Sequence, residues 1–275
     1  MPGVTKTVEV RLPTMADMAQ IEYVRPAEAY LGPKSGETIA WGMATYDAVT
    51  YQANHSQKML AMQLAWDYEP GNAWVLPTME RLPYPYAIFY SLSSMFATEK
   101  QAGRKADWFF WLDDDVVVPR DVVRILRAAA DPEERPFVAA VGYDRLWPHR
   151  PAVWKVIETG SNKMPLAVRF DPVPESGTHR VHTTGLCAAI FHRSLFDKVS
   201  EPWFAVAPPV YDIGGGHERG INPDTWWSEQ MNNAGLPVYV CCDVEIIHLG
   251  KSIAVCRKTA GIMRELNRAG RAEAP

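Results

Sequence analysis

Short continuous apolar runs alternate along this chain with longer stretches of helical spacing. Residues 38–43, 73–76, 108–112, 137–141, 184–191 and 238–241 are apolar runs too short for helices, as expected of strands covered on both faces. Residues 244–247 read the same way and stop at His248. Between them a helical stretch runs to about Trp66. Ile88, Leu92, Met95 and Phe96 then mark a helix opened by Pro85 and closed by Gly103. Val122, Ile125, Leu126 and Ala129 form one face of a helix begun near Pro119, and another helix opens at Asp224 and closes at Gly235. Ser194, with Asp197 three residues on, forms a weak capping box for a short helix. The alternation predicts an α/β fold with a mostly parallel, Rossmann-like central sheet, flanking helices and right-handed crossovers. Residues 145–180 carry scattered proline and charge and predict irregular structure. Residues 1–37, with Pro2, Pro13, Pro26 and Pro33, read as an irregular N-terminal extension, 38–250 as the main domain and 251–275 as a C-terminal helical tail.

The run at 108–112 stops on three consecutive carboxylates, Asp113, Asp114 and Asp115. Ligands of open α/β sheets gather at the carboxyl ends of such strands, so these residues stand where a ligand would. On an extended backbone Asp113 and Asp115 point to one side and Asp114 to the other. Adjacent like charges repel and raise one another's pKa unless a cation or donors compensate, which favours a hard divalent ion here. The plain alternative is a solvated turn with one Asp capping the next helix. His248 also follows an apolar run, so Asp113, Asp115 and His248 make a candidate Mn(II) or Mg(II) set. A satisfied structural histidine is the alternative for His248.

Composition narrows the function classes. A formal charge of -4 over 275 residues provides no global basic field for nucleic acid or an anionic membrane surface. A local groove built from Arg145, His149, Arg150, Lys155, Lys163 and Arg169 is still conceivable, with a solvated face as the alternative. No apolar run is long enough to span a bilayer, and the first residues form no signal peptide, so a cytoplasmic protein without a transmembrane anchor is expected. The four cysteines, Cys187, Cys241, Cys242 and Cys256, lack zinc-type spacing and lie in or beside apolar runs, as buried free thiols do. Trp203, Trp226 and Trp227 are candidate stacking faces for a sugar, with core packing the default for each.

Taken together, the motifs resemble those of the GT-A-fold glycosyltransferases, close to the family-2-like, nucleotide-sugar-dependent group. Residues 110–119 are similar to that family's strand carrying the Asp-x-Asp metal motif. Residues 184–196 are similar to its later strand, where a Gly, here Gly185, lies near the donor sugar. The stretch from Asp224 to Val240 resembles the segment supplying the catalytic base, and 244–250 the strand ending in the third metal ligand, here His248. Two departures stand out. Pro223-Asp224 replaces the usual Glu-Asp, leaving Asp224 as the base or, alternatively, as an ordinary helix N-cap. The first strand ends in Met43-Ala44-Thr45-Tyr46-Asp47 without the usual Pro, so nucleotide contacts by Thr45, Tyr46 and Asp47 compete with simple loop packing.

The resemblance implies transfer of a glycosyl group from a nucleoside diphosphate sugar, a UDP-sugar by expectation, to an acceptor hydroxyl with inversion. Asp115 and His248 would hold the metal. Asp113 and Asp114 would contact donor or metal, and Asp224 would take the acceptor proton. The acceptor class stays open among glycan, small molecule and modified DNA of a bacteriophage, as does the oligomeric state. The glycine-rich loop at 214–220 is a candidate lid over the donor, or an ordinary connection. A nucleotidyltransferase would want a basic glycine-rich loop after the first strand, and residues 42–46 hold no Arg or Lys. A glycan- or nucleotide-binding module without turnover is the non-enzyme alternative.

Overall fold

The computed structural model describes residues 36–45, 51–80, 82, 84–144, 149–159, 164–205, 222–249, 254–257, 260, 261 and 265. Strand β1 (Ile39–Thr45) leads to helix α1 (Tyr51–Asp67), then β2 (Ala73–Val75) and β3 (Met79–Glu80). Helix α2 (Tyr84–Ala102) delivers the chain to β4 (Trp108–Leu112), followed by β5 (Val116–Val117), α3 (Val122–Ala129) and β6 (Phe137–Ala140). Strands β7 (Val153–Thr159), β8 (Met164–Arg169), β9 (Thr178–Val181), β10 (Thr183–Thr184) and β11 (Ala188–His192) come next. The short helix α4 (Leu195–Lys198) precedes α5 (Pro223–Asn233), β12 (Val238–Cys241), β13 (Ile247–Leu249) and β14 (Ala254–Val255). Gly103 and Gly235, at φ of 64° and 71°, close α2 and α5 in the left-handed conformation that glycine enters without a Cβ clash.

The main sheet has the order β2-β1-β4-β11-β6-β12-β9, with β3 paired to the end of β1. β1 runs parallel to β2, β3 and β4, and β6 parallel to β12. The expected parallel sheet is thus modified at its centre, because β11 lies antiparallel between β4 and β6, and β9 is antiparallel on β12. The cause is the excursion through residues 145–180. Their proline and charge hide a β7–β8 hairpin that pairs with β10, and the chain re-enters the sheet from the opposite end.

Strand alternation sorts the core into two layers. Phe109 and Trp111 join Ile88, Leu92, Met95, Phe191 and Trp227 on one face. Trp108, Phe110 and Leu112 join Leu60, Leu64, Val122 and Leu126 on the other. Every residue of β4 is buried, so the strand tolerates no polar position until it leaves the sheet. All four cysteines are buried free thiols, as expected.

Three further expectations shift. Ser194 does not cap α4; it has helical φ and ψ, and its hydroxyl lies 2.9 Å from His192 Nδ1 instead. Residues 244–246 are not a strand; pairing begins at Ile247, so His248 lies within β13 rather than after it. Asp114 and Asp115 form a turn, so pleat alternation does not set the directions of the carboxylates. No described helix is long and apolar enough to cross a membrane.

Candidate active site

The carboxyl end of β4, the start of β11 and the exit of β6 meet at one edge of the sheet. Leu112 pairs with Ala188, and the Asp113 N–H donates to the Cys187 carbonyl (2.9 Å), which fixes the first carboxylate beside the Gly185–Cys187 approach to β11. The Trp111 indole N–H donates to Asp113 Oδ1 (2.9 Å), so a core side chain orients a half-buried acid. Burial, then Asp115 and Asp224, and least Asp114, push Asp113 well above the usual carboxylate range; the Trp111 bond pulls the other way. Asp115 acts on Asp113 more strongly than the adjacent Asp114 does.

His248 is delivered by the small sheet β14-β13-β5. It pairs with Val116, and the neighbouring Leu249 N–H donates to the Asp115 carbonyl (2.8 Å). Its Nδ1 lies 2.9 Å from the Tyr143 carbonyl. A carbonyl can only accept, so Nδ1 carries the hydrogen and Nε2 of the neutral ring carries a lone pair. Nε2 stands 3.3 Å from Asp115 Oδ1. Two acceptors so placed call for a proton or a cation. Adjacent ligands of a small octahedral ion with bonds of 2.0–2.1 Å lie roughly 3 Å apart, and a ring N–H held by a carbonyl is the usual support of a metal-binding histidine. The pair therefore fits a divalent ion. Among the described residues no group of three or more His, Cys, Asp or Glu side chains is placed to hold a metal ion. Protein ligation here would rest on Asp115 and His248, with other ligands filling the shell.

Asp224 enters from α5. The helix is capped by Asn222, whose side chain accepts from the Thr225 N–H (2.8 Å), with Pro223 in the first turn; Asp224 is not the cap. Its carboxylate turns inward, with Oδ2 3.7 Å from the position a Cβ on Gly185 would take. Gly185 thus separates Asp224 from Ala152 and lies within the site. Burial first, then Asp113, Asp224 and Asp115, raise the Cys187 thiol well above its ordinary pKa, which makes it a neutral wall between the acids.

Of the other expected contacts, Thr45 ends β1 opposite Glu80 of β3, half-buried, and Asp114 lies in the turn beside Asp113. Tyr46, Asp47 and the 214–220 loop lie outside the described residues. Trp203 and Trp227 are core: Trp227 stacks on Phe204 with ring centroids 5.2 Å apart, and Trp203 packs edge-on against Phe196. Trp226 is half-buried and donates its N–H to the Pro202 carbonyl. Among the described residues, three of the expected basic-groove positions are engaged elsewhere. Arg169 pairs with Asp144 (2.7 Å) and covers Trp154, Lys155 lies over Phe170, and His149 is buried; Arg145 and Lys163 lie outside the described residues. Sequence reasoning missed the Tyr143 carbonyl and the Trp111 indole, which only the fold can supply. It also missed the Asn222 cap, which the Asn-Pro pair signals.

No protein-family model matches the chain, and no curated protein matches it by sequence. Among solved structures, the crystal structure of A197 from STIV matches with a TM-score of 0.52 and 16% identity, covering 81% of this chain and 91% of that one. More distant matches are a glycosyltransferase involved in the glycosylation of the major capsid of PBCV-1 (TM-score 0.29, 14% identity, 58% of this chain and 62% of that one). GalNAc-T7 with UDP, GalNAc and Mn2+ also matches (TM-score 0.40, 11% identity, 76% of this chain and 43% of that one). The two transferase likenesses are too low to bear on this chain's chemistry. The likeness to A197 concerns the fold alone: a mixed α/β architecture built on a large, mostly parallel central sheet.

Proposed function

We propose that the protein is a metal-dependent glycosyltransferase that moves a sugar from a nucleoside diphosphate donor, a UDP-sugar in our reading, to an acceptor hydroxyl with inversion. The observation that carries this reading is the meeting of His248 Nε2 and Asp115 Oδ1 at 3.3 Å, with the imidazole hydrogen committed to the Tyr143 carbonyl. Asp115 and His248 would hold Mn(II) or Mg(II), which would supply Lewis-acid stabilisation of the diphosphate leaving group. Asp113, held by Trp111 and the Cys187 carbonyl, positions the donor from the end of β4. Asp224, turned toward Gly185 rather than spent on capping, takes the proton of the acceptor hydroxyl as the new bond forms. Thr45 and Asp114 lie at the same strand ends, in keeping with nucleotide contacts. The test is release of nucleoside diphosphate across a panel of nucleotide sugars with Mn(II), on the wild type and Asp115→Ala. Metal-dependent release from one donor, lost in the variant, is expected. No release, together with no metal-dependent nucleotide binding by calorimetry, refutes the reading.

A further inference from the structure

We infer that Gly142 and Tyr143, which follow β6 after Val141, form a positioning element that sets His248 and Asp113 relative to one another, and that the element works because Gly142 has no side chain. The inference rests on the reading of Asp113, Asp115 and His248 as a transferase site.

Tyr143 supplies the carbonyl that holds the His248 ring (2.9 Å). On the adjacent residue, the Gly142 carbonyl accepts the Ala152 N–H (2.8 Å), and the Ala152 carbonyl accepts the Gly185 N–H (2.8 Å). Gly185 is the residue over which Asp224 lies. On its other side Gly142 abuts the thiol of Cys187: a Cβ there would stand 2.9 Å from Sγ, closer than real contacts allow. The Cys187 carbonyl in turn holds the Asp113 N–H (2.9 Å). Two consecutive residues thus contact the supports of the histidine, of Asp113 and of the Gly185 floor beneath Asp224. Gly142 is not at positive φ, so the demand for glycine is spatial rather than conformational. Cys187 has a single side-chain torsion and is buried. An added methyl at 142 therefore lifts the 142–143 backbone away from the buried thiol, and that movement carries the Tyr143 carbonyl away from His248.

The experiment is a double-mutant cycle of Gly142→Ala and Cys187→Ala, read by the 15N spectrum of the His248 ring in the metal-free protein and by Mn(II) affinity. Gly142→Ala is expected to alter the ring spectrum and to weaken Mn(II) binding about tenfold or more, the scale at which outer-shell support acts. Cys187→Ala keeps the wild-type ring spectrum, and the double variant returns both readouts toward wild type. An unchanged ring spectrum in Gly142→Ala, or no recovery in the double variant, overturns the inference. If Gly142→Ala does not fold, a folded double variant with the wild-type ring spectrum supports it and an unfolded one overturns it. If the wild type binds no Mn(II) while the ring spectrum still follows the cycle, the positioning role stands and the metal reading falls.

Discussion

Asp113→Asn should stabilise the metal-free protein at neutral pH. Asp113 stands well above the usual carboxylate pKa, first because it is buried and then because Asp115 and Asp224 face it. A carboxyl with a raised folded pKa binds protons more readily folded than unfolded, so stability falls as pH rises from the unfolded value of ~3.9 through the folded one. Above the folded pKa the penalty is complete. Asparagine is nearly isosteric, does not ionise, and keeps an oxygen for the Trp111 N–H that now reaches Asp113 Oδ1 at 2.9 Å. The variant should recover ~1.4 kcal/mol for each unit of that displacement, and each kcal/mol appears as about 2–4 °C in the melting temperature of a chain this long. The assay is thermal unfolding by circular dichroism in EDTA over a pH series, repeated with saturating Mn(II). The advantage of Asp113→Asn should narrow as pH is lowered through about 4 and vanish at pH ~3, where the wild-type acid is protonated in both states. It should also narrow with Mn(II), because a cation compensates the repulsion in the wild type. A variant less stable than wild type at neutral pH, or an advantage independent of pH, would refute this account of the site.

Other outcomes separate chemistry from packing. Asn222→Ala removes the α5 cap and should cost about 1 kcal/mol of stability, whereas Asp224→Asn should not lower stability but should lower donor-to-acceptor transfer about 100-fold or more; urea denaturation and turnover assays distinguish the two. His248→Ala should weaken Mn(II)-dependent donor hydrolysis at least tenfold, checked by titrating metal against rate. Gly42→Ala would place a methyl 2.8 Å from Phe109 Cε2 and 3.0 Å from Ser91 Cβ. That overpacking should cost about 1–3 kcal/mol in denaturant midpoint while leaving the metal affinity of the surviving fold unchanged.

The central strands are legible because burial on both faces leaves an unmistakable apolar run: 108–112 and 238–241 match their observed bounds. Helix ends are legible where glycine marks them, as at Gly103 and Gly235. The β7–β8 hairpin is not, since a strand on a small peripheral sheet alternates weakly and Lys155 and Arg169 interrupt it with charge. Within the candidate site, the three Asp residues announce themselves by type. The supports of Asp113 are the Cys187 carbonyl and the Trp111 indole and that of His248 is the Tyr143 carbonyl, and nothing in one-dimensional spacing says that these meet. The shift of His248 into β13 has the same origin, because Val116 beyond the turn, not the local sequence, selects the paired residues.

The antiparallel insertion of β11 also governs how the chain must come together during synthesis. β4 and β6 are the most apolar strands of the sheet, and each has one edge satisfied only when residues 188–192 arrive. Until then the nascent chain carries two fully hydrophobic strands with open hydrogen-bonding edges, a template for pairing with neighbouring chains. Fragments ending before Ala188 should therefore precipitate rather than behave as an independent half-domain, and a closing step over so long a sequence separation makes slow, chaperone-sensitive folding the natural consequence of this topology.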